Sequence, residues 1–244
     1  MEGYPLRDDQ IAAYRKHGFL LVEGVFTPEE CDEVLERARA LYARGRIENC
    51  FEAVPASEAD GDMLKVYPRM MHPHRVDGVF LKYLKHPRVV HILEHLLGTE
   101  ALGAQSMFYW KPPGARGQAF HQDSYYARCE PDTCTAAWTA LEDTDEGNGS
   151  LVVFEGSKDL PILDMLPTDT ARSFTATAVV PPAGTTPRMI RMKAGDTLFF
   201  GGRVIHGSEP NTSRDRFRRS FICHYIAADT RMLADFYKPL VPLR

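Results

Sequence analysis

Thr135-Ala136-Ala137-Trp138-Thr139-Ala140-Leu141, followed by Asp145-Glu146-Gly147-Asn148-Gly149 and then Leu151-Val152-Val153-Phe154, reads as strand, turn and strand. The flanking runs are apolar and β-prone, and the Gly/Asn cluster between them supplies residues that tolerate turn backbone. Outward from this unit the rhythm recurs from Ala104 onward. Ser106–Trp110, Phe120–Asp123, Met189–Met192, Thr197–Phe200, Val204–His206 and Arg218–Ile226 are short β-rich runs separated by Gly, Pro and Asn. That spacing predicts a barrel or sandwich rather than alternating βαβ units, hence an all-β core.

Helices flank this core on its N-terminal side. Thr27-Pro28-Glu29-Glu30 offers an N-cap, a proline at the first helical position and a capping-box glutamate, which predicts a helix from Pro28 to about Arg44. Cys31, Val34, Leu35, Ala38, Leu41 and Tyr42 recur at spacings of three and four and form its buried stripe. Gly18–Val22 reads as a short buried strand, and a second helix runs from Pro87 to Gly98 with Val89, Val90, Leu93, Leu96 and Leu97 on its inner face. Asp159–Pro187 contains five prolines and little periodicity, so it is expected as an irregular excursion covering a pocket mouth. The chain is expected to be a single domain over residues 1–244, its helical first third packed on the core from about 104.

Charge and composition narrow the function classes. A net charge of −4, with no long run of either sign, argues against a nucleic-acid partner. No apolar stretch approaches a membrane span, and Met1-Glu2-Gly3-Tyr4-Pro5 lacks the basic and apolar regions of a signal peptide, so the expectation is a cytoplasmic chain with no membrane partner. Cys31, Cys50, Cys129, Cys134 and Cys223 lack CxxC spacing and are expected as reduced thiols. Oligomeric state is not readable.

The chemistry concentrates in His121-Gln122-Asp123, an imidazole and a carboxylate two residues apart, which on one strand would face the same side. His206, in Val204-Ile205-His206-Gly207-Ser208, supplies a third donor. Two histidines and one carboxylate leave half an octahedral sphere open, which suits non-haem Fe(II) holding a co-substrate and O2, whereas structural zinc needs a closed site. The commonest electron-donating co-substrate is 2-oxoglutarate, whose distal carboxylate calls for an arginine fork. Arg218, Arg219 and Arg216 all qualify. Alternation would give Arg218, Ser220, Ile222 and His224 one face and Arg219, Phe221, Cys223 and Tyr225 the other.

Several other stretches admit a functional reading. His91-Ile92-Leu93-Glu94-His95 fits an inverted zincin pattern, but the helical wheel sets both histidines opposite the apolar arc, as surface residues. Met70-Met71-His72-Pro73-His74-Arg75 reads as a surface loop or a loop at a substrate mouth rather than a metal tract. His224 is either a pocket residue or a bonded core histidine. Tyr109, Trp110, Tyr125 and Tyr126 form either a substrate wall or plain packing.

His121-Gln122-Asp123, Ala137–Leu141, Gly147–Leu151, Gly156-Ser157 and His206-Gly207-Ser208 through Phe217-Arg218-Arg219 resemble, in order, the phytanoyl-CoA dioxygenase family of Fe(II)/2-oxoglutarate oxygenases. The resemblance runs from about Tyr14 to Asp229. It implies a double-stranded β-helix (jelly-roll, cupin-like) core, iron on His121, Asp123 and His206, and 2-oxoglutarate on Arg218 with Ser208 beside it. It also implies Trp138 in the co-substrate pocket, Gln122 as a hydrogen-bond partner of co-substrate or substrate, and Lys65 near the co-substrate. Two departures stand out: Arg218 lies one residue further from His206 than is usual in the family, and Lys158 follows Gly156-Ser157 where the family often has histidine. Family members that halogenate replace the carboxylate ligand with a small residue, so Asp123 argues against halogenation. The implied activity is hydroxylation of an unactivated C–H of a small organic metabolite, with succinate and CO2 released. Desaturation, epoxidation, cyclisation or hydroxylation of an acyl-CoA are alternatives within the same chemistry, and a non-catalytic jelly-roll binder of a small ligand is the alternative outside it.

Overall fold

Thr27 and Glu30 cap their helix reciprocally in the computed structural model, which describes residues 6–244; the leader expectation for Met1–Pro5 lies outside the described residues. Thr27 Oγ1 accepts from the Glu30 amide at 3.2 Å, and Glu30 Oε2 accepts from the Thr27 amide at 2.8 Å. The first half of the chain carries α1 (Asp8–His17), β1 (Phe19–Val22), α2 (Pro28–Ala43), α3 (Met63–Val66), β2 (Met70–Met71), α4 (Gly78–Leu84) and α5 (Pro87–Leu97). Then come β3 (Ala101–Tyr109), β4 (Gln118–His121), α6 (Asp123–Ala127), β5 (Thr135–Ala140) and β6 (Leu151–Glu155). The hairpin β7 (Leu166–Pro167) and β8 (Thr177–Ala178) precedes β9 (Thr186–Ile190), β10 (Thr197–Gly201), β11 (His206–Ser208), β12 (Ser220–Ala227) and β13 (Val241–Pro242). Among the described residues no helix is long and apolar enough to cross a membrane.

Two main antiparallel sheets result, beside the two-stranded β7–β8 pair. The larger has the order β1-β10-β5-β12-β3-β13, with β2 also pairing with β3, and the smaller the order β4-β11-β6-β9. Strand alternation divides the larger sheet into two working faces. Ala136, Trp138, Leu198, Phe200 and Ile222 point toward the smaller sheet and meet its Leu151, Val153 and Ile190. Ala137, Phe199, Phe221, Cys223 and Tyr225 point the other way, onto Val34, Leu35 and Leu41 of α2, Phe80 and Leu84 of α4, and Val89 and Leu93 of α5. The outer layer is the main apolar core. The space between the sheets is left for polar side chains at one end.

Several elements differ from the sequence-based expectation. In α5 the buried side chains are Val89, Val90, Ile92 and Leu93, while Leu96 and Leu97 are only half-buried at the helix end. His95 Nδ1 lies 2.8 Å from the His91 carbonyl and Glu94 pairs with Arg244 at 2.5 Å, so His91 and His95 build no metal site. The excursion from Asp159 to Pro187 is not structureless, because Leu166–Pro167 and Thr177–Ala178 pair within it. All five cysteines are unpaired and buried.

The tract Met70–Arg75 is not a surface loop. Met70 and Met71 pair with Phe108 and Met107 of β3, and His72 (φ 51) turns the chain into a buried 3-10 turn. Neither ring nitrogen of His72 has a hydrogen-bond partner, and His74 Nδ1 lies 2.7 Å from Ser106 Oγ. Burial, with Arg75 nearby, lowers both histidines to about 4, against about 6.5 in an unfolded chain. The unfolded chain therefore takes up these protons first, so this contribution to stability is complete above about pH 6.5 and is lost as pH falls toward 4. Denaturant unfolding between pH 7 and pH 4 is expected to show that decline, and His74→Gln is expected to flatten it; an equally steep decline in the variant would refute the assignment.

Candidate metal centre

The β4–β11 register sets His206 directly opposite His121, with ring centroids 4.2 Å apart. Asp123 arrives differently from the expectation of a shared strand. The strand ends at His121, Gln122 remains extended, and Asp123 opens α6. Its carboxylate nevertheless turns back to the same point: Oδ1 lies 3.6 Å from His121 Nε2, and Oδ2 lies 3.7 Å from His206 Nε2. One donor atom from each of the three residues lies within 4.8 Å of the others.

The imidazoles are oriented by their other nitrogens. His121 Nδ1 is 2.9 Å from the Ala119 carbonyl, and His206 Nδ1 is 3.0 Å from the Val204 carbonyl. A carbonyl only accepts, so both protons sit on Nδ1 and both Nε2 lone pairs face the carboxylate. Burial, reinforced by His206, lowers His121 to about 4, which keeps it a neutral donor at neutral pH. For Asp123 burial works upward, but His224 outweighs it and holds the carboxyl well below the usual range. His224 Nε2 lies 3.0 Å from Asp123 Oδ2, so the β12 histidine holds the carboxylate in place.

These groups open onto a cavity of about 450 Å³. Of the three arginines considered above, Arg216 pairs with Asp145 at 2.7 Å and Arg219 with Glu142 at 2.9 Å. Arg218 has no carboxylate partner among the described residues, is 3% exposed and lies on the cavity wall, its guanidinium carbon 5.0 Å from the Trp138 ring centroid. Its Nη1 donates to Ser220 Oγ at 2.7 Å, while its Nε has no partner. Burial lowers Arg218 to about 10, so it stays charged at neutral pH. Trp138 is on the wall as well.

The other expected contacts lie elsewhere. Gln122 is fully buried and faces away from the cavity: its amide donates to the Arg203 carbonyl at 2.9 Å and the Pro161 carbonyl at 3.2 Å, and accepts from the Leu163 amide at 2.8 Å. Its place in the strand-to-helix transition aims it outward and makes it a fastener for the excursion. Lys65 is an exposed residue paired with Asp60 at 3.2 Å, off the cavity wall. Ser208 sits behind Gly207, where its Oγ accepts from Lys111 Nζ at 2.9 Å and from the Gln118 amide at 3.3 Å. It is not on the wall either.

The turn residues serve the site from outside it. Asn148 Nδ2 donates to the carbonyls of Asp143 and Phe217, anchoring the segment that leads into Arg218. Gly149 has φ +79, and a Cβ there would lie 2.6 Å from Lys111 Cε. The glycine therefore admits Lys111, which is 3% exposed and also donates to the Glu209 carbonyl. Burial, and then Arg218, pushes Lys111 well below the ordinary lysine value. Ser157 Oγ accepts from the Ile205 amide at 2.9 Å and steadies the approach to His206.

Residues 14–220 match the family model described as phytanoyl-CoA dioxygenase (PhyH). The chain belongs to the phytanoyl-CoA dioxygenase family. Among curated relatives, a probable alpha-ketoglutarate-dependent hypophosphite dioxygenase from Stutzerimonas stutzeri is 27% identical over 91% of this chain and 79% of that protein. A probable phytanoyl-CoA dioxygenase from Caenorhabditis elegans is 28% identical over 93% of this chain and 78% of that protein. The crystal structure of the epimerase SnoN in complex with Fe3+, alpha ketoglutarate and nogalamycin RO superposes with a TM-score of 0.73 at 22% identity, covering 95% of this chain and 86% of that one. EctD from S. alaskensis with bound Fe gives 0.72 at 20% identity, covering 93% and 79%.

Within this phytanoyl-CoA dioxygenase fold, sequence reasoning missed Lys111, Gln118, Arg69 and Arg128. Lys111 follows a strand and precedes two prolines, which signals nothing about burial. Gln118 Nε2 lies 3.2 Å from His121 Nε2, three residues away in the chain. His224 was within reach of strand alternation, but its partner was not. Replacing His224 with alanine is expected to weaken metal binding by about 10- to 100-fold through loss of the Asp123 contact, measured by anaerobic Fe(II) titration; unchanged affinity would show that Asp123 holds its position unaided.

Proposed function

We propose that this chain is an Fe(II)- and 2-oxoglutarate-dependent oxygenase that hydroxylates an unactivated C–H bond of a small organic metabolite, releasing succinate and CO2. The observation that carries the reading is the buried convergence of His121, Asp123 and His206 beside an unpaired, buried Arg218 in one cavity. Two imidazole donors and one carboxylate suit ferrous iron, with positions left for a chelating co-substrate and O2. The free Nε of Arg218 and its retained charge suit the distal carboxylate of 2-oxoglutarate, which a guanidinium can meet with two parallel hydrogen bonds. The names of the relatives and the ligands of the SnoN complex support the same cofactor pair. In the same reading the two antiparallel sheets form a double-stranded β-helix, and the Asp159–Pro187 excursion covers the mouth of a single-domain enzyme.

When bound, iron and 2-oxoglutarate together supply the oxidant for C–H cleavage. The chain's residues do the rest. His224 keeps Asp123 aimed and ionised; the carbonyls of Ala119 and Val204 keep both imidazoles in the donor tautomer. Trp138 packs on the Arg218 guanidinium, while Leu151, Phe200 and Ile222 give the inner wall an apolar surface that excludes bulk water. Asp123 retains the carboxylate that chloride-binding relatives lack, which favours oxygen insertion over halogenation.

Adding Fe(II), ascorbate and 2-oxoglutarate to the purified chain is expected to release succinate, and Asp123→Ala is expected to abolish it. The absence of succinate from the wild-type protein under these conditions would refute the proposal in favour of a non-catalytic binder. Arg218→Ala is expected to weaken 2-oxoglutarate binding by about 2–5 kcal/mol, because a buried carboxylate loses its partner; a normal 2-oxoglutarate affinity in that variant would remove Arg218 from its role.

A further inference from the structure

The cavity wall carries two arginines that the proposed iron and 2-oxoglutarate chemistry does not use, Arg69 and Arg128. Arg69 precedes β2 and is exposed; its Nη1 donates to Tyr109 Oη at 3.2 Å, and its guanidinium carbon stands 5.6 Å from the Phe174 ring centroid. Arg128 closes α6 in a left-handed conformation (φ 51) five residues after Asp123 and is also exposed. Other exposed arginines, such as Arg188, Arg191 and Arg203, meet Glu155, Glu146 and Asp132. Neither Arg69 nor Arg128 has a carboxylate partner among the described residues.

Charge distinguishes this wall from an ordinary solvated surface. Its formally charged residues are Arg69, Arg128, Arg218 and, as the one carboxylate, Asp123, an excess of two positive charges with histidines neutral. Ferrous iron and the 2-oxoglutarate dianion cancel each other, so the excess persists after both have bound. It lies beside thioethers and rings, Met71, Met107, Tyr125, Tyr126 and Phe236. Arginine forks beside an aromatic wall match an oxyanion on an apolar body.

We infer that the substrate is an organic anion, with a carboxylate or phosphorus oxyanion held at the mouth by Arg69 and Arg128 and an apolar body on the Met/Tyr wall. This rests on the proposed oxygenase reading for the use of the cavity, and it narrows the substrate class to charged metabolites. Pre-placement of Arg69 by Tyr109 and Phe174 means that little side-chain freedom is lost on binding.

The test is calorimetric titration of the full chain, loaded with Mn(II) in place of iron and saturated with 2-oxoglutarate. The probes are 3-phenylpropionate and phenylphosphonate, with 3-phenylpropionamide and dimethyl phenylphosphonate as their neutral counterparts. At least one anion is expected to bind tenfold or more tightly than its neutral counterpart, and the tighter of the two identifies the head group. Arg69→Gln and Arg128→Gln are each expected to weaken that anion about tenfold and its neutral counterpart no more than about twofold, as for loss of a charged hydrogen bond. Both side chains are exposed, so neither variant opens the core. Equal binding of anion and neutral partner, binding of neither anion, or anion affinity unchanged in either variant overturns the inference. None of these readouts needs turnover, so a chain that prefers anions yet forms no succinate would fail the oxygenase reading and keep this one.

Discussion

The cross-strand pair His206–His121 is the constraint on which the site depends. Two imidazoles and a carboxylate can be buried together only if each has its remaining polar atoms satisfied. The smaller sheet does this with its own backbone: the carbonyls two residues before each histidine take the Nδ1 protons. The larger sheet contributes His224 against Asp123. The converging donor atoms are thus set by both sheets at once, and neither could orient them alone. β11 has only three residues, and Gly207 lets it approach β4 closely enough that a Cβ would lie 2.7 Å from the Gln118 carbonyl.

A second layer of contacts fixes Arg218 from a distance. Asn148 and Asn211 each hold backbone carbonyls just before it, at Phe217 and Arg216, and the Arg218 amide donates to the Lys111 carbonyl at 3.0 Å. Lys111 then runs past Gly149 to Ser208 and Glu209. The Gly-Asn-Gly turn is therefore a joint between Arg218 and the segment that follows His206, not only a reversal of chain direction.

Stability and chemistry are separated by the pleat of the larger sheet. On β12, Phe221, Cys223 and Tyr225 pack under the helices, while Ile222 and His224 line the cavity and Ser220 accepts from Arg218. A period of two converts one strand into both a core element and a functional one. The outer layer can hold the strand rigidly while the inner layer carries groups that are costly to bury.

Local signals in the sequence were enough for the elements that local physics governs. The Thr27 cap, the stripe on α2, the β rhythm after Ala104 and the alternation on β12 all depend on neighbours within a few residues, and all are present. α1 was less legible because it buries none of its residues completely, although acidic residues open it, basic ones close it and Gly18 caps it. His121, Asp123 and His206 were nameable as candidate ligands because few residue types bind iron, but their meeting point was not, since a β4–β11 register spans 85 residues of chain. Tertiary structure alone decided that Asp123 starts a helix, that Gln122 turns outward and that Lys65 stays in solvent. It also separated Arg218 from Arg216 and Arg219, because that choice depends on which arginine finds a carboxylate across the fold. Periodicity along a chain reports which face a side chain occupies; only packing reports what stands opposite.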